Sequence, residues 1–236
     1  MKKHIPGLLF LLASILISCS PDSADEDNQS PSNSKLVQKE FVSDNYNLQY
    51  RYNESRLLSQ ITDVFSEEEI HDIISFKYDS NKNVIERHFD SQNSSYQSTT
   101  TYQYDNQNRI IRSEKATTME NSNTTFEFSY NGNSVEVVEN NSGYEGIINL
   151  ELNETGLVTR ISESAGYSTF NYDAQGNLKK IQTYDEGGGL KFTHEYLYDD
   201  KSNPFYGQLS SLYLPNFLEI MDDLYYGEDL LFPYQG

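Results

Sequence analysis

Phe170-Asn171-Tyr172-Asp173-Ala174-Gln175-Gly176-Asn177-Leu178 is the stretch that decides the fold of this chain. Phe170 and Tyr172 alternate with Asn171, so two aromatics fall on one side of an extended segment and a polar residue on the other. Asp173 to Asn177 then gather Asp, Gly and Asn, which bond their own backbone or accept left-handed conformations and so close turns. Leu178 and Ile181 resume the apolar pattern. The stretch reads as one β-hairpin, first arm, turn and second arm.

Six further copies surround it. Phe76-Lys77-Tyr78-Asp79 leads through Ser80 to Asn83 into Val84-Ile85, and Tyr102-Gln103-Tyr104-Asp105 leads through Asn106 to Arg109 into Ile110-Ile111. More diverged units are Tyr50-Arg51-Tyr52-Asn53, Phe128-Ser129-Tyr130-Asn131, Leu150-Glu151-Leu152-Asn153 and Tyr196-Leu197-Tyr198-Asp199. Their marker residues stand at 52, 78, 104, 130, 152, 172 and 198. A near-constant period of this kind signals one supersecondary unit repeated. The fold class is therefore all-β and mainly antiparallel, a meander of about 12–14 strands built from seven Tyr-Asp hairpins. Gly132, Gly156 and Gly176 are expected in the turns, with Asn83 and Asn108 at similar places, and the Asp of each unit is expected to cap its turn. The polar stretches Asp90 to Thr100 and Ala116 to Asn123 are expected at the opposite turns or frayed strand ends.

One face of such a sheet carries aromatic and aliphatic rows; the other carries Lys, Arg, Glu, Thr and Asn. Leaving the first face bare would expose a large apolar patch, so the sheet must curl on itself or be capped. The cap expected is the C-terminal segment 206–236. From Asn216, read as a helix N-cap, Phe217, Ile220, Met221 and Leu224 fall at helical spacing. The competing reading of that stripe is an exposed partner-binding surface. The repeat domain itself spans 39–205, closed by Asn203-Pro204-Phe205-Tyr206-Gly207.

The N-terminus carries an address. Lys2 and Lys3 precede the apolar run Gly7 to Ile17, which has the proportions of a signal peptide and is too short for a permanent membrane span. Residues 1–18 are read as that signal. Leu16-Ile17-Ser18-Cys19 resembles a bacterial lipobox, which implies that Cys19 is lipidated and becomes the first mature residue. Residues 19–38 read as a disordered acidic tether, rich in Ser, Asp and Asn without an apolar period. Ser20 after the lipidated Cys implies the outer membrane, and the cluster Asp22, Asp25, Glu26 and Asp27 resembles export signals of Bacteroidetes surface lipoproteins. Asp22-Ser23-Ala24 also resembles an O-glycosylation acceptor of those bacteria. The expected location is thus an outer-membrane lipoprotein on the cell surface, with a periplasm-facing placement left open.

Charge excludes some functions. The chain has 17 Lys and Arg against 36 Asp and Glu, a formal charge of −19 that becomes −21 once Lys2 and Lys3 leave with the signal. Nucleic acid and a polybasic contact with anionic lipid are both excluded by this balance. Cys19 is the only cysteine, so the mature domain has no disulfide and no thiolate metal site.

No constellation specifies a reaction. His71, His88 and His194 show no zinc-site spacing, and there is no Gly-x-Ser-x-Gly elbow. Gly187-Gly188-Gly189 lacks a following Lys-Ser/Thr and reads as a flexible turn, and Glu67-Glu68-Glu69 as a solvated loop. Asp79-x-Asn81-x-Asn83 and Asp105-x-Gln107 have the alternate oxygens of a calcium loop without its Gly and bidentate Glu. The reading is catalytic residues none, metal none, cofactors none, and a lipid-attachment site at Cys19. The 19 tyrosines could stack on sugar rings; their recurrence at the repeat period makes them sheet core instead.

Φ-x-Tyr-Asp-x-x-Gly/Asn-Asn-Leu/Ile-x-x-Ile resembles the YD repeat of RHS-type proteins. With the lipobox, the acidic tether and Tyr198 to Phe205, the chain is similar to a family of Bacteroidetes lipoproteins that has no established activity to transfer. In large RHS proteins the repeats imply a sheet spiralling into a shell around a toxin; seven units are too few for that, so only the architecture carries over. The function expected is a lipid-anchored, non-enzymatic sheet presenting a binding surface for a glycan or an envelope protein. The alternatives are a structural component of an outer-membrane complex and a hydrolase using paired carboxylates, which requires two acids converging with a raised pKa on one.

Overall fold

A computed structural model of the chain describes residues 36–65, 69–118, 123–141, 143–198 and 208–224, with side chains in the last stretch as far as Glu219. The signal segment, Cys19, most of the tether, Glu67 and Glu68, the closing segment 203–207 and the side chains of Ile220, Met221 and Leu224 lie outside the described residues.

Fourteen strands follow one another: β1 (Lys39–Ser43), β2 (Tyr46–Tyr52), β3 (Leu58–Phe65), β4 (Ile70–Tyr78), β5 (Val84–Ser91), β6 (Gln97–Tyr104) and β7 (Ile110–Thr117). Then come β8 (Asn123–Asn131), β9 (Ser134–Asn141), β10 (Tyr144–Leu152), β11 (Val158–Glu163), β12 (Gly166–Tyr172), β13 (Leu178–Asp185) and β14 (Leu190–Glu195). Every neighbour pairs antiparallel with its predecessor, in one open meander whose edges are β1 and β14. The segment Asp90 to Thr100 is mostly strand, since Asp90, Ser91 and Gln97 to Thr100 all pair in ladders.

Five of the hairpins, at Asn53, Asp79, Asp105, Asn153 and Asp173, share one turn, whereas the unit at Tyr130-Asn131 closes directly on Gly132 and Asn133. Asp79 Oδ1 accepts the backbone N–H groups of Asn81 and Asn83, both at 2.8 Å. Asp105 does the same for Gln107 and Arg109, Asn153 for Thr155 and Leu157, and Asp173 for Gln175 and Asn177. The Asp is a turn cap, as its recurrence with the turns indicates. Three residues after it the chain turns left-handed: at Gly156 and Gly176, at Asn108, but also at Arg56 and Lys82, where φ is 62° and 68°. Asn83 follows that position rather than occupying it. The Oδ1 bonds hold the turn so firmly that lysine and arginine are carried into a region that suits glycine.

A bulge follows each of these turns. Arg51 pairs with Gln60 while Tyr52 pairs with Leu58, which leaves Ser59 as the extra residue. The same slip occurs beside Tyr78, Tyr104, Leu152 and Tyr172. It sets Ile85 and Ile111, the extra residues of their hairpins, partly exposed on the outer face.

Helix α1 (Tyr213–Leu224) follows a 3-10 turn at Ser210–Leu212. It starts three residues before the expected cap: Pro215 sits in the first turn, where its missing N–H has no helical acceptor to lose, and Asn216 is buried inside the helix. Leu212, Leu214, Phe217 and Leu218 join the core formed by Leu48, Ile61, Ile74, Phe89, Val137, Leu150, Ile161, Phe170 and Ile181. Each fully buried side chain of that size contributes about 1.5–3 kcal/mol. Of the expected apolar stripe, Phe217 is covered by the chain's own sheet; the other side chains of the stripe lie outside the described residues.

Contacts from α1 and its approach require the sheet to curl. Ser211 bonds the backbone of Val84 on β5, and Tyr213, two residues on, bonds that of Val158 on β11. In a flat sheet strands six apart would be separated by about 29 Å. Phe217 packs on Phe170 of β12 with ring centroids 4.9 Å apart, while Glu219 pairs with Arg87 of β5. The sheet therefore wraps around its own C-terminal segment.

Candidate functional site

The inner seam is built from the bulges. Beside each bulge the first residue of the second arm offers its backbone carbonyl to a side chain, and in three hairpins its N–H as well. Its carbonyl accepts the hydroxyl of a tyrosine from the next hairpin: Tyr78 to Leu58, Tyr104 to Val84, Tyr130 to Ile110 and Tyr198 to Leu178, each 20 residues back, and Tyr172 to Val158. Tyr52 continues the series to Val37 at 2.8 Å. The N–H groups of Leu58, Val84 and Val158 bond Gln208, Ser211 and Tyr213 of the C-terminal segment at 2.9–3.0 Å. Burial pushes the phenols of Tyr104 and Tyr130 up to about 12, so they stay neutral donors at any physiological pH. The tyrosine row is a structural ladder; the rings of Tyr52, Tyr78, Tyr104, Tyr130 and Tyr172 pack against the core, and Tyr198 at its end is more exposed.

Below the ladder lies a charged cluster. Arg87 Nη1 donates to Glu219 at 3.0 Å, and the guanidinium side chain is only 11% exposed. Burial alone would raise the Glu219 carboxyl; the cations of Arg87 and Lys115 outweigh it and hold the group below the usual carboxylate range. Burial lowers the Lys115 ammonium, and it raises the phenol of Tyr102 beside Arg87. The cluster ties α1 to β5 and β7. The 132 residues between Arg87 and Glu219 hid it from any local reading.

A second cluster occupies the inner face of the first hairpins. Asp63 on β3 lies directly opposite Asp72 on β4. Asp63 is 5% exposed, its Oδ2 accepts the Tyr46 hydroxyl at 3.3 Å, and its Oδ1 has no hydrogen-bond partner. Burial, with the negative charge of Asp72 adding to it, pushes the Asp63 carboxyl up to about 6. Phe65 stacks on Tyr46 and on His71 at 4.7 and 4.2 Å between centroids. The signal for this cluster was present in Leu58–Phe65, where Asp63 alternates in phase with the inward Ile61.

Other sequence candidates resolve locally. The carboxylate oxygens of the calcium-like loops are engaged: Asp79 Oδ1 caps its turn and its Oδ2 accepts the Asn83 amide, while Asn81 and Asn83 both donate to Asn108 of the next hairpin. Asp105 is held by Arg109. His88 bonds Thr99 across the sheet at 3.0 Å, His194 lies opposite Ile181, and neither approaches the Asp63 cluster. Gly187-Gly188-Gly189 is a capped turn rather than a loose one. Asp185 Oδ1 accepts the N–H of Gly189, and Gly188 takes the left-handed position three residues after the Asp. Among the described residues no three of His, Cys, Asp and Glu are placed to hold a metal ion, and no helix is long and apolar enough to cross a membrane. The outer face bears exposed ion pairs such as Lys77–Glu86, Arg112–Glu127 and Lys180–Glu195.

The family model of the teneurin YD-shell matches residues 31–221. Among solved structures, the chain is similar to a porin-like protein from Bacteroides uniformis at 10% identity, over 65% of this chain and 90% of that one, with a TM-score of 0.41. It is also similar to a chain of the TcdB2-TccC3-Cdc42 complex at 15% identity and a TM-score of 0.41, over 64% of this chain but 10% of that one. No curated protein matches the sequence. The family match spans well over half of the chain, and the protein belongs to the teneurin YD-shell family.

Proposed function

We propose that this YD-shell protein is a lipid-anchored, non-enzymatic component of the cell envelope, held at the outer membrane through Cys19, whose sheet docks another protein. The observation that carries the reading is the tyrosine ladder. The rings of Tyr78, Tyr104, Tyr130 and Tyr172 pack against the core and their hydroxyls are spent on backbone carbonyls, so the row a sugar would stack on is closed. The interior is filled by Leu212, Leu214, Phe217 and Leu218, which argues against a cargo chamber and turns recognition to the outer face and the sheet edges. The anchor rests on the signal-like N-terminus and the lipobox resemblance of Leu16 to Cys19.

Two experiments test it. Mass spectrometry of the envelope-purified protein should find an acylated Cys19 as its first residue; an unmodified chain beginning elsewhere overturns the anchor. A photo-crosslinker placed at Phe41 on β1 should capture an envelope protein in intact cells. Absence of any crosslink from β1 or the outer face, together with firm binding on a glycan array, overturns the protein-docking reading.

A second reading is favoured by the Asp63–Asp72 pair, which sets two acids opposite each other on adjacent strands with the Asp63 carboxyl raised. The seclusion of Asp63 Oδ1 weighs against it. Hydrolysis of a polysaccharide panel that is abolished by Asp63→Asn and by Asp72→Asn, with the fold intact, would establish it.

A further inference from the structure

We propose that β14 is a self-pairing edge, and that its occupant is the β14 of a second copy of this chain. Four of the exposed large apolar residues lie between 190 and 198: Leu190, Phe192, Leu197 and Tyr198, with Phe192 61% and Leu197 98% exposed. Leu190 and Phe192 lie on β14 and Leu197 and Tyr198 just beyond its end, and β14 pairs with β13 on one side alone among the described residues. An edge of this kind, with its outward N–H and C=O groups, is a template for another strand.

The choice of a second copy follows from charge and register. The chain is strongly acidic, yet residues 178–195 carry Lys179, Lys180 and Lys191 against Asp185, Glu186 and Glu195 and are electrically neutral. Two copies can approach here without the repulsion they meet elsewhere. A two-fold axis normal to the sheet keeps the inner faces of both copies on one side only if opposed residue numbers have an even sum, because side chains alternate. Centring the axis on Thr193 sets Lys191 of each copy opposite Glu195 of the other, twice over, with Phe192 opposite His194. Centring it on Phe192 leaves Lys191 facing Thr193 and gives no ion pair. The Thr193 register runs regularly from Lys191 to Glu195 and ends at the bulge beside Lys191. The intrachain partners of Lys191 and Glu195, Asp185 and Lys180, sit in exposed pairs that contribute little and yield readily to shared ones. The arrangement is isologous and closed. It depends neither on the lipid anchor nor on the proposed envelope partner.

The test uses residues 20–236, which contain every described strand and the helix and no cysteine. One strand pair with an apolar fringe is a small interface, so sedimentation velocity should show a monomer–dimer equilibrium with a dissociation constant on the order of tens of micromolar. Phe192→Asp should weaken it about tenfold or more. Thr193→Cys should crosslink to itself on oxidation. Lys191→Cys alone should not, whereas a mixture of the Lys191→Cys and Glu195→Cys chains should. A chain that stays monomeric to several hundred micromolar overturns the proposal. So does a Thr193→Cys chain that crosslinks no better than Phe41→Cys on the opposite edge, or growth into open polymers, which would mean β14 pairing with β1.

Discussion

Replacing Tyr104 by phenylalanine removes one rung of the ladder, together with the hydroxyl's contact with Ser211. The ring stays in its place; the hydroxyl that donates to the Val84 carbonyl at 2.7 Å is lost. Val84 is fully buried and its carbonyl belongs to a bulge, so no sheet partner replaces the donor and water does not reach it. A typical hydrogen bond contributes about 0.5–1.5 kcal/mol net, and a buried acceptor left unsatisfied costs about 1–3 kcal/mol. The two together place the loss at about 2 kcal/mol, which for a domain of this size lowers the melting temperature by about 4–8 °C. Calorimetry of Tyr104→Phe beside Tyr144→Phe is the assay, since Tyr144 is an exposed tyrosine outside the ladder and its variant should stay within about 0.5 kcal/mol of the parent. A Tyr104→Phe protein indistinguishable from the parent, or from Tyr144→Phe, refutes the claim that the tyrosines hold successive hairpins together.

Three more outcomes are expected. Glu219→Gln leaves the largely buried Arg87 and Lys115 without their anion; with Glu219 itself about a third exposed the loss should be about 2 kcal/mol, less than for a fully buried pair, read as a lower urea midpoint at constant slope. Asp63 holds its proton more tightly folded than unfolded, its pKa moving from 3.8 to about 6. Its contribution to stability is therefore complete below pH 3.8 and lost as pH climbs through 6, so Asp63→Asn should gain on the parent across that window, by at most about 3 kcal/mol at pH 7; parallel pH profiles would contradict it. Lys82→Gly relieves a left-handed lysine and should stabilise by up to about 1 kcal/mol; a destabilised variant would show that the lysine side chain supports the turn.

The repeat, its antiparallel meander and the capping Asp were legible because each is local. The alternation Phe76-x-Tyr78, the Asx turn at Asp79 and the return at Val84 lie within nine residues. What those tyrosines bond was not legible. The hydroxyl of Tyr104 reaches Val84 from the next hairpin, beside a one-residue slip, and a bulge leaves no residue signature beyond Ile85 appearing on the wrong face. The helix start was misplaced at Asn216, a good cap residue, because Tyr213 and Leu214 are drawn into helix by their packing against β11 and the core. Arg87, Lys115 and Glu219 each read as ordinary surface charges in their own segments; only the curl of the sheet brings them together.

That curl is the central claim, and a nuclear Overhauser spectrum of residues 20–236 tests it most directly. If the sheet wraps its own C-terminal segment, one sample must show cross-peaks from the Val84 amide to Ser211, from the Val158 amide to the Tyr213 ring, and between the rings of Phe170 and Phe217, joining β5, β11 and β12 through a few residues. A spectrum with the full antiparallel meander but with those contacts missing, or confined to one of the three strands, would contradict it.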